Sequence, residues 1–100
     1  MTVRLHAGAR AELEDAALWY EQEQEGLGAA FLAEVARAAA TIEEAPATWP
    51  LFRKSTGIRR FLRARFPYAL LYRSDSDAVV VLAVAHTKRR PGYWRARRLP

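Results

Sequence analysis

The stretch Ala78-Val79-Val80-Val81-Leu82-Ala83-Val84-Ala85 decides how the chain folds. It is rich in β-branched residues and apolar on both faces, the pattern of a strand at the centre of a sheet with a layer on each side. A bilayer span needs about 20 apolar residues, so this run is no membrane segment. Working backwards, Ser74-Asp75-Ser76-Asp77 has the composition of a tight turn, and Tyr68–Arg73 reads as a second strand. Pro67 closes a third, Ile58–Phe66, in which apolar and basic residues alternate. Ile58, Leu62, Ala64 and Phe66 fall on one face, with Arg60 as the exception, and Arg59, Phe61, Arg63 and Arg65 on the other. Connections this short make the three strands an antiparallel meander.

Before residue 46 the period changes. Val3 and Leu5 alternate with Arg4 and His6, a short strand expected to end near Gly8. From Ala9 the spacing is helical: Leu13, Ala16, Ala17 and Tyr20 share one face. Glu12, Glu14 and Asp15 suit the positive end of this helix, and Glu12, Glu14, Glu21, Glu23, Glu25 and Glu34 read as solvated faces. Gly26-Leu27-Gly28 breaks the pattern. A second helix follows with Phe31, Val35, Ala38 and Ile42 inward, until Pro46 stops it. The two helices form an αα-hairpin whose apolar stripes need one face of the sheet. The expected fold class is α+β, β-α-α-β-β-β, a helical hairpin packed on one face of a small antiparallel sheet, in a single domain over residues 1–100. The other face of the sheet is expected to stand open, carrying Arg59, Phe61, Arg63 and Arg65.

Charge is distributed unevenly. The chain carries a net charge of +5, yet residues 1–45 hold nine acids against three arginines, while residues 46–100 hold thirteen Lys and Arg against Asp75 and Asp77. The basic half points to a polyanionic or acidic partner. Guanidiniums two residues apart on a strand stand about 7 Å apart, a spacing that tracks phosphates or grips carboxylates, and Phe61 adds a stacking surface. The absence of cysteine removes disulfides, thiolate metal sites and a thiol nucleophile. His6 and His86 lie far apart without a carboxylate cluster, so no metal site and no cofactor are expected. No Gly-rich phosphate loop and no nucleophile elbow occurs. The first twenty residues hold no long apolar stretch and predict no secretory signal; a cytoplasmic protein without membrane contact is expected.

One segment carries the parts of a catalyst. His86 ends the central strand and is followed by Lys88, Arg89, Arg90, Tyr93 and Trp94. An imidazole, a phenol and cations such as Arg63 and Arg89 suffice for metal-free RNA cleavage: a base for the 2′-hydroxyl, a cation for the phosphorane charge, an acid for the leaving oxygen. Trp94 reads instead as an anchor that packs the tail onto the domain.

Several stretches together resemble the RelE/ParE toxin superfamily of type II toxin–antitoxin modules. They are Ala11–Ala16 with Trp19-Tyr20-Glu21, Gly26-Leu27-Gly28 with Phe31 and Glu34-Val35, Arg63 with Phe66-Pro67-Tyr68-Ala69-Leu70-Leu71-Tyr72, and Val81–His86 followed by Arg89 and Tyr93. The likeness runs from about residue 3 to residue 97. It implies a small growth-inhibiting toxin, neutralised by a cognate antitoxin through which it reaches operator DNA. The ParE branch implies inhibition of DNA gyrase; the RelE branch implies a ribosome-dependent mRNA endonuclease with His86, Arg63, Arg89 and Tyr93 at its site. The chain departs from the RelE branch at Ala69 and Thr87, where that branch carries arginines, and its long hairpin and Leu82-x-x-x-His86 ending look more like ParE. A co-repressor acting only with its antitoxin is the third reading.

Overall fold

A computed structural model describes residues 2–52, 57–62, 65–74, 77–90 and 92–97. The elements run β1 (Thr2–Leu5), α1 (Ala7–Glu23), α2 (Leu27–Glu44), β2 (Arg59–Leu62), β3 (Tyr68–Ser74) and β4 (Ala78–His86). This is the α+β order expected from the sequence. The sheet is ordered β1-β4-β3-β2, so the apolar run of β4 is central. β3 pairs antiparallel with both β2 and β4, whereas β1 lies parallel to β4, with Thr2 beside Ala78 and Leu5 beside Val81, so the sheet is mixed and not antiparallel throughout: the helical hairpin between β1 and β2 lets β1 run alongside β4.

Helix α1 begins earlier than its sequence suggests. The chain leaves β1 at His6, whose Nδ1 accepts from the Gly8 N–H at 2.9 Å and caps the helix, so Gly8 sits inside α1 and does not end the strand. The starting point moves Glu12, Glu14 and Asp15 beyond the first turn, which holds no acid. At the hairpin, Gly26 takes φ 86°, a left-handed conformation that glycine adopts without strain. It offers α2 no side-chain cap. The exposed carboxylate of Glu21, reaching across from α1, accepts from Gly26 N and Gly28 N at 2.9 Å each, so Glu21 is solvated, as expected, and is also the cap of α2. Glu34, by contrast, is buried and not solvated, 9% exposed, beside Arg37 at 2.7 Å.

The core on the helix side joins Ala16, Phe31, Ala38 and Ile42 to Phe66, Leu70, Tyr72, Val79, Val81 and Val84, with Leu13, Val35 and Tyr20 packed against it. Val81 and Val84 share that side because β4 carries a bulge: Leu71 stands opposite Ala83 and Tyr72 opposite Val81, which leaves Leu82 as the extra residue. Leu82, Ala83 and Ala85 consequently face the second side.

The faces of β2 are the reverse of those expected. Phe61 is 5% exposed in the helix-side core, its ring 4.6 Å from that of Trp49. Arg59, opposite Tyr72, is half-buried and donates to the Trp49 carbonyl at 2.7 Å. Ile58 joins the second-side cluster, and Arg60 and Leu62 stand opposite Leu71 and Ala69, both members of it. β2 is only four residues long and the chain bends over residues 65–67, which returns Phe66 to the helix side. A single alternation cannot be carried across such a bend. Arg65 is exposed, its guanidinium 5.3 Å from the Phe66 ring; Arg63 and Ala64 lie outside the described residues. The second side is not bare either: Trp94, 2% exposed, packs onto it with Phe52, ring centroids 5.3 Å apart.

Candidate functional site: a cationic basin and the carboxylate behind it

Where β2, β3 and β4 turn their second side outward, the chain encloses a basin of about 640 Å³. Its floor is aliphatic, with Ala69, Leu71 and Ala85; Trp94 and Phe52 form part of the wall; Arg60, His86, Arg89 and Arg90 stand around it, and among the described residues no Asp or Glu lines it. Three of the sequence-predicted residues, His86, Arg89 and Tyr93, meet here. Arg59 does not line the basin, and Phe61 touches it from a buried position. Leu62, half exposed at 50%, lies at its border.

His86 ends β4 with its Nδ1 accepting from the Lys88 N–H at 3.1 Å and its ring edge-on to Tyr68, centroids 5.1 Å apart. Its carbonyl accepts from Arg89 N at 2.9 Å, closing the turn that carries Arg89 to the rim. Arg89 lies over the face of Tyr93, 3.9 Å from the ring centroid, a cation–π contact. The Tyr93 hydroxyl donates to Oε2 of Glu12 at 2.5 Å. Burial, and then this hydrogen bond and the carboxylate's charge, raise the phenol pKa well above its ordinary range against the smaller pull of Arg89 and Arg97.

Glu12 is the group that sequence reasoning missed. Its side chain is 14% exposed. Besides Tyr93 it accepts a two-pronged contact from Arg97, Nη1 to Oε1 and Nη2 to Oε2 at 3.0 Å each, and the Val84 N–H at 3.0 Å. Arg89 adds a longer contact of 3.7 Å. The reason lies in strand length. β1 stops at Leu5, and the last backbone bond along that edge is His6 N to the Val81 carbonyl. Past it, β4 would leave an N–H and a carbonyl unpaired beneath α1, which is costly. Glu12 accepts from Val84 N and Arg97 donates to the Leu82 carbonyl at 2.8 Å, so two side chains stand in for the missing strand. The signal was present: Glu12 sits three residues after Ala9 and four before Ala16, both buried, hence on the inward stripe of α1. Arg97 and the basin residue Arg90 had no such periodic signature.

Among the described residues, no three His, Asp or Glu side chains cluster as metal ligands, and no helix is long and apolar enough to cross a membrane.

Comparison with known proteins bears on this arrangement. No curated protein matches the chain. A solved structure described as the chromosomal ParDE TA system from P. aeruginosa has a chain 14% identical to this one, superposing with a TM-score of 0.65 over 88% of this chain and 97% of that one, a likeness of fold. The family described as the ParE toxin of the type II toxin–antitoxin system, parDE, matches residues 3–91, which takes in Glu12, His86, Arg89, both helices and all of the sheet but Thr2, and stops short of Tyr93, Trp94 and Arg97. With nearly nine-tenths of its length matched, the chain belongs to the ParE toxin family of type II toxin–antitoxin systems.

Proposed function

We propose that this toxin arrests growth by binding DNA gyrase in the cytoplasm, without catalysis, and that a cognate antitoxin neutralises it and carries it to operator DNA. The observation supporting a binding mode over RNA cleavage is the state of Tyr93. A general base or acid must be free to exchange its proton near the working pH. The Tyr93 hydroxyl is committed to Glu12 and its pKa is raised further from neutrality, while its ring face is covered by Arg89. Arg89 in turn is drawn toward the Glu12 carboxylate.

A second reading, a ribosome-dependent mRNA endonuclease, is favoured by the meeting of His86, Arg89 and Tyr93 at one basin. The two separate cleanly. With the toxin expressed from a titratable promoter, the gyrase reading expects purified toxin to inhibit supercoiling and ribosome-bound mRNA to stay uncut. Cuts in mRNA that vanish in His86→Ala, with supercoiling unimpaired, reverse the assignment. Co-expression with the product of the adjacent reading frame is expected to restore growth.

A further inference from the structure

Glu12 is a nearly buried carboxylate on α1 that binds β4 and the tail at once, and Gly8, one turn earlier, is shaped around the same contact. A Cβ built on Gly8 would stand 2.6 Å from Arg97 Cζ and 2.7 Å from its Nε, so the guanidinium crosses α1 where glycine leaves a gap. The tail itself has little else to hold it. Among the described residues its backbone bonds are local, Arg95 N to Gly92 O and Arg97 N to Trp94 O, and its long-range anchors are the Trp94 ring, the Tyr93 hydroxyl and the Arg97 guanidinium. Two of those three end on Glu12.

We infer that residues 92–97 form a strap latched by Glu12, and that this positioning residue, acting through Tyr93 and Arg97, sets the wall and cationic rim of the basin on which toxin action depends. The chain of contacts is continuous. Glu12 holds Tyr93, the Tyr93 ring carries Arg89 at 3.9 Å, and Trp94, next in sequence, closes the basin against Phe52. The latch is charge-assisted on both sides, and a two-pronged Arg–carboxylate contact is stronger and more directional than a neutral one. The last part of the inference, its link to growth arrest, rests on the function proposed above.

Three variants of the full-length chain test it. Glu12→Gln keeps an acceptor for Val84 and removes the charge. Arg97→Lys keeps the charge and removes the fork. Gly8→Ala leaves every partner in place, improves helix propensity and drives a methyl group into the guanidinium. Hydrogen exchange of the 92–97 amides is expected to quicken at least about tenfold in all three, the loss of roughly one charge-assisted bond, with trypsin cutting after Arg95 sooner. A stability-matched control, Val35→Ala, is expected to leave the tail amides protected while lowering the melting temperature. Gly8→Ala is the sharpest arm, because an effect confined to the helix would stabilise the fold and leave the strap closed. Unchanged tail exchange in these variants overturns the latch. Full growth arrest from a variant whose strap exchanges freely overturns its coupling to action. If the parent chain fails to arrest growth, the proposed function falls, and the exchange and trypsin arms still decide the latch.

Discussion

At the residue scale, Tyr93 makes the chemistry of the basin measurable. Its phenol pKa is raised by burial and by Glu12, from an unfolded value of about 10. Above that value the unfolded chain gives up the proton while the native state keeps it, so the native state binds more protons and stability falls as the pH climbs. The contribution is fully present below pH of about 10. Burial raises Tyr20, Tyr68 and Tyr72 as well, so titration of tyrosine absorbance is expected to show a late step as the fold is lost, and Tyr93→Phe is expected to shrink that step by one phenol. A late step of the same size in Tyr93→Phe contradicts the contact with Glu12. The core offers a second check: Ile42, fully buried on α2, is expected to cost about 2–5 kcal/mol when cut to alanine, read by denaturant unfolding.

Elements show how a helix can depend on a residue outside itself. α2 begins at Gly26 with no side-chain cap, and the carboxylate of Glu21 supplies one from the preceding helix. Glu21→Ala is expected to lower stability by about 1 kcal/mol, as loss of an N-cap does, and Glu21→Gln by less. Gly28 is a closer constraint. A Cβ there would stand 2.5 Å from the Ala17 carbonyl, a backbone atom that cannot swing aside, so Gly28→Ala is expected to destabilise despite better helix propensity, by about 1–3 kcal/mol, read as a lower thermal midpoint. The helical hairpin was legible because an apolar stripe at helical period is repeated along most of α1 and α2. Strand β2 was not. Four residues give only two turns of the alternation, and Arg60, the residue that broke the expected pattern, marked the true phase: it faces the basin while Phe61 faces the core.

On the scale of the molecule, the sequence showed the fold through the run at residues 78–85, whose two apolar faces required a layer on each side. It also marked Trp94 as the anchor of the tail, which it is, but not that the tail covers the sheet's second side or that Arg97 holds it, because these residues follow no period and Arg97 and Glu12 are 85 residues apart. Of the candidate site, His86, Arg89 and Tyr93 were legible as a local cluster, whereas Glu12 was passed over among helix acids although its spacing from Ala9 and Ala16 puts it on the inward stripe. The parallel pairing of β1 with β4 has a consequence for synthesis. The middle strand of the sheet is translated last, and both β1 and β3 wait for it. A nascent chain that has not reached Ala78 holds a helical hairpin with no sheet to cover, and long-range pairing of this kind closes slowly. A fragment ending at residue 77 is expected to show no cooperative heat-absorption peak in calorimetry and no effect on cell growth. Poison would then belong only to finished copies, and a prematurely stopped message would release a harmless peptide.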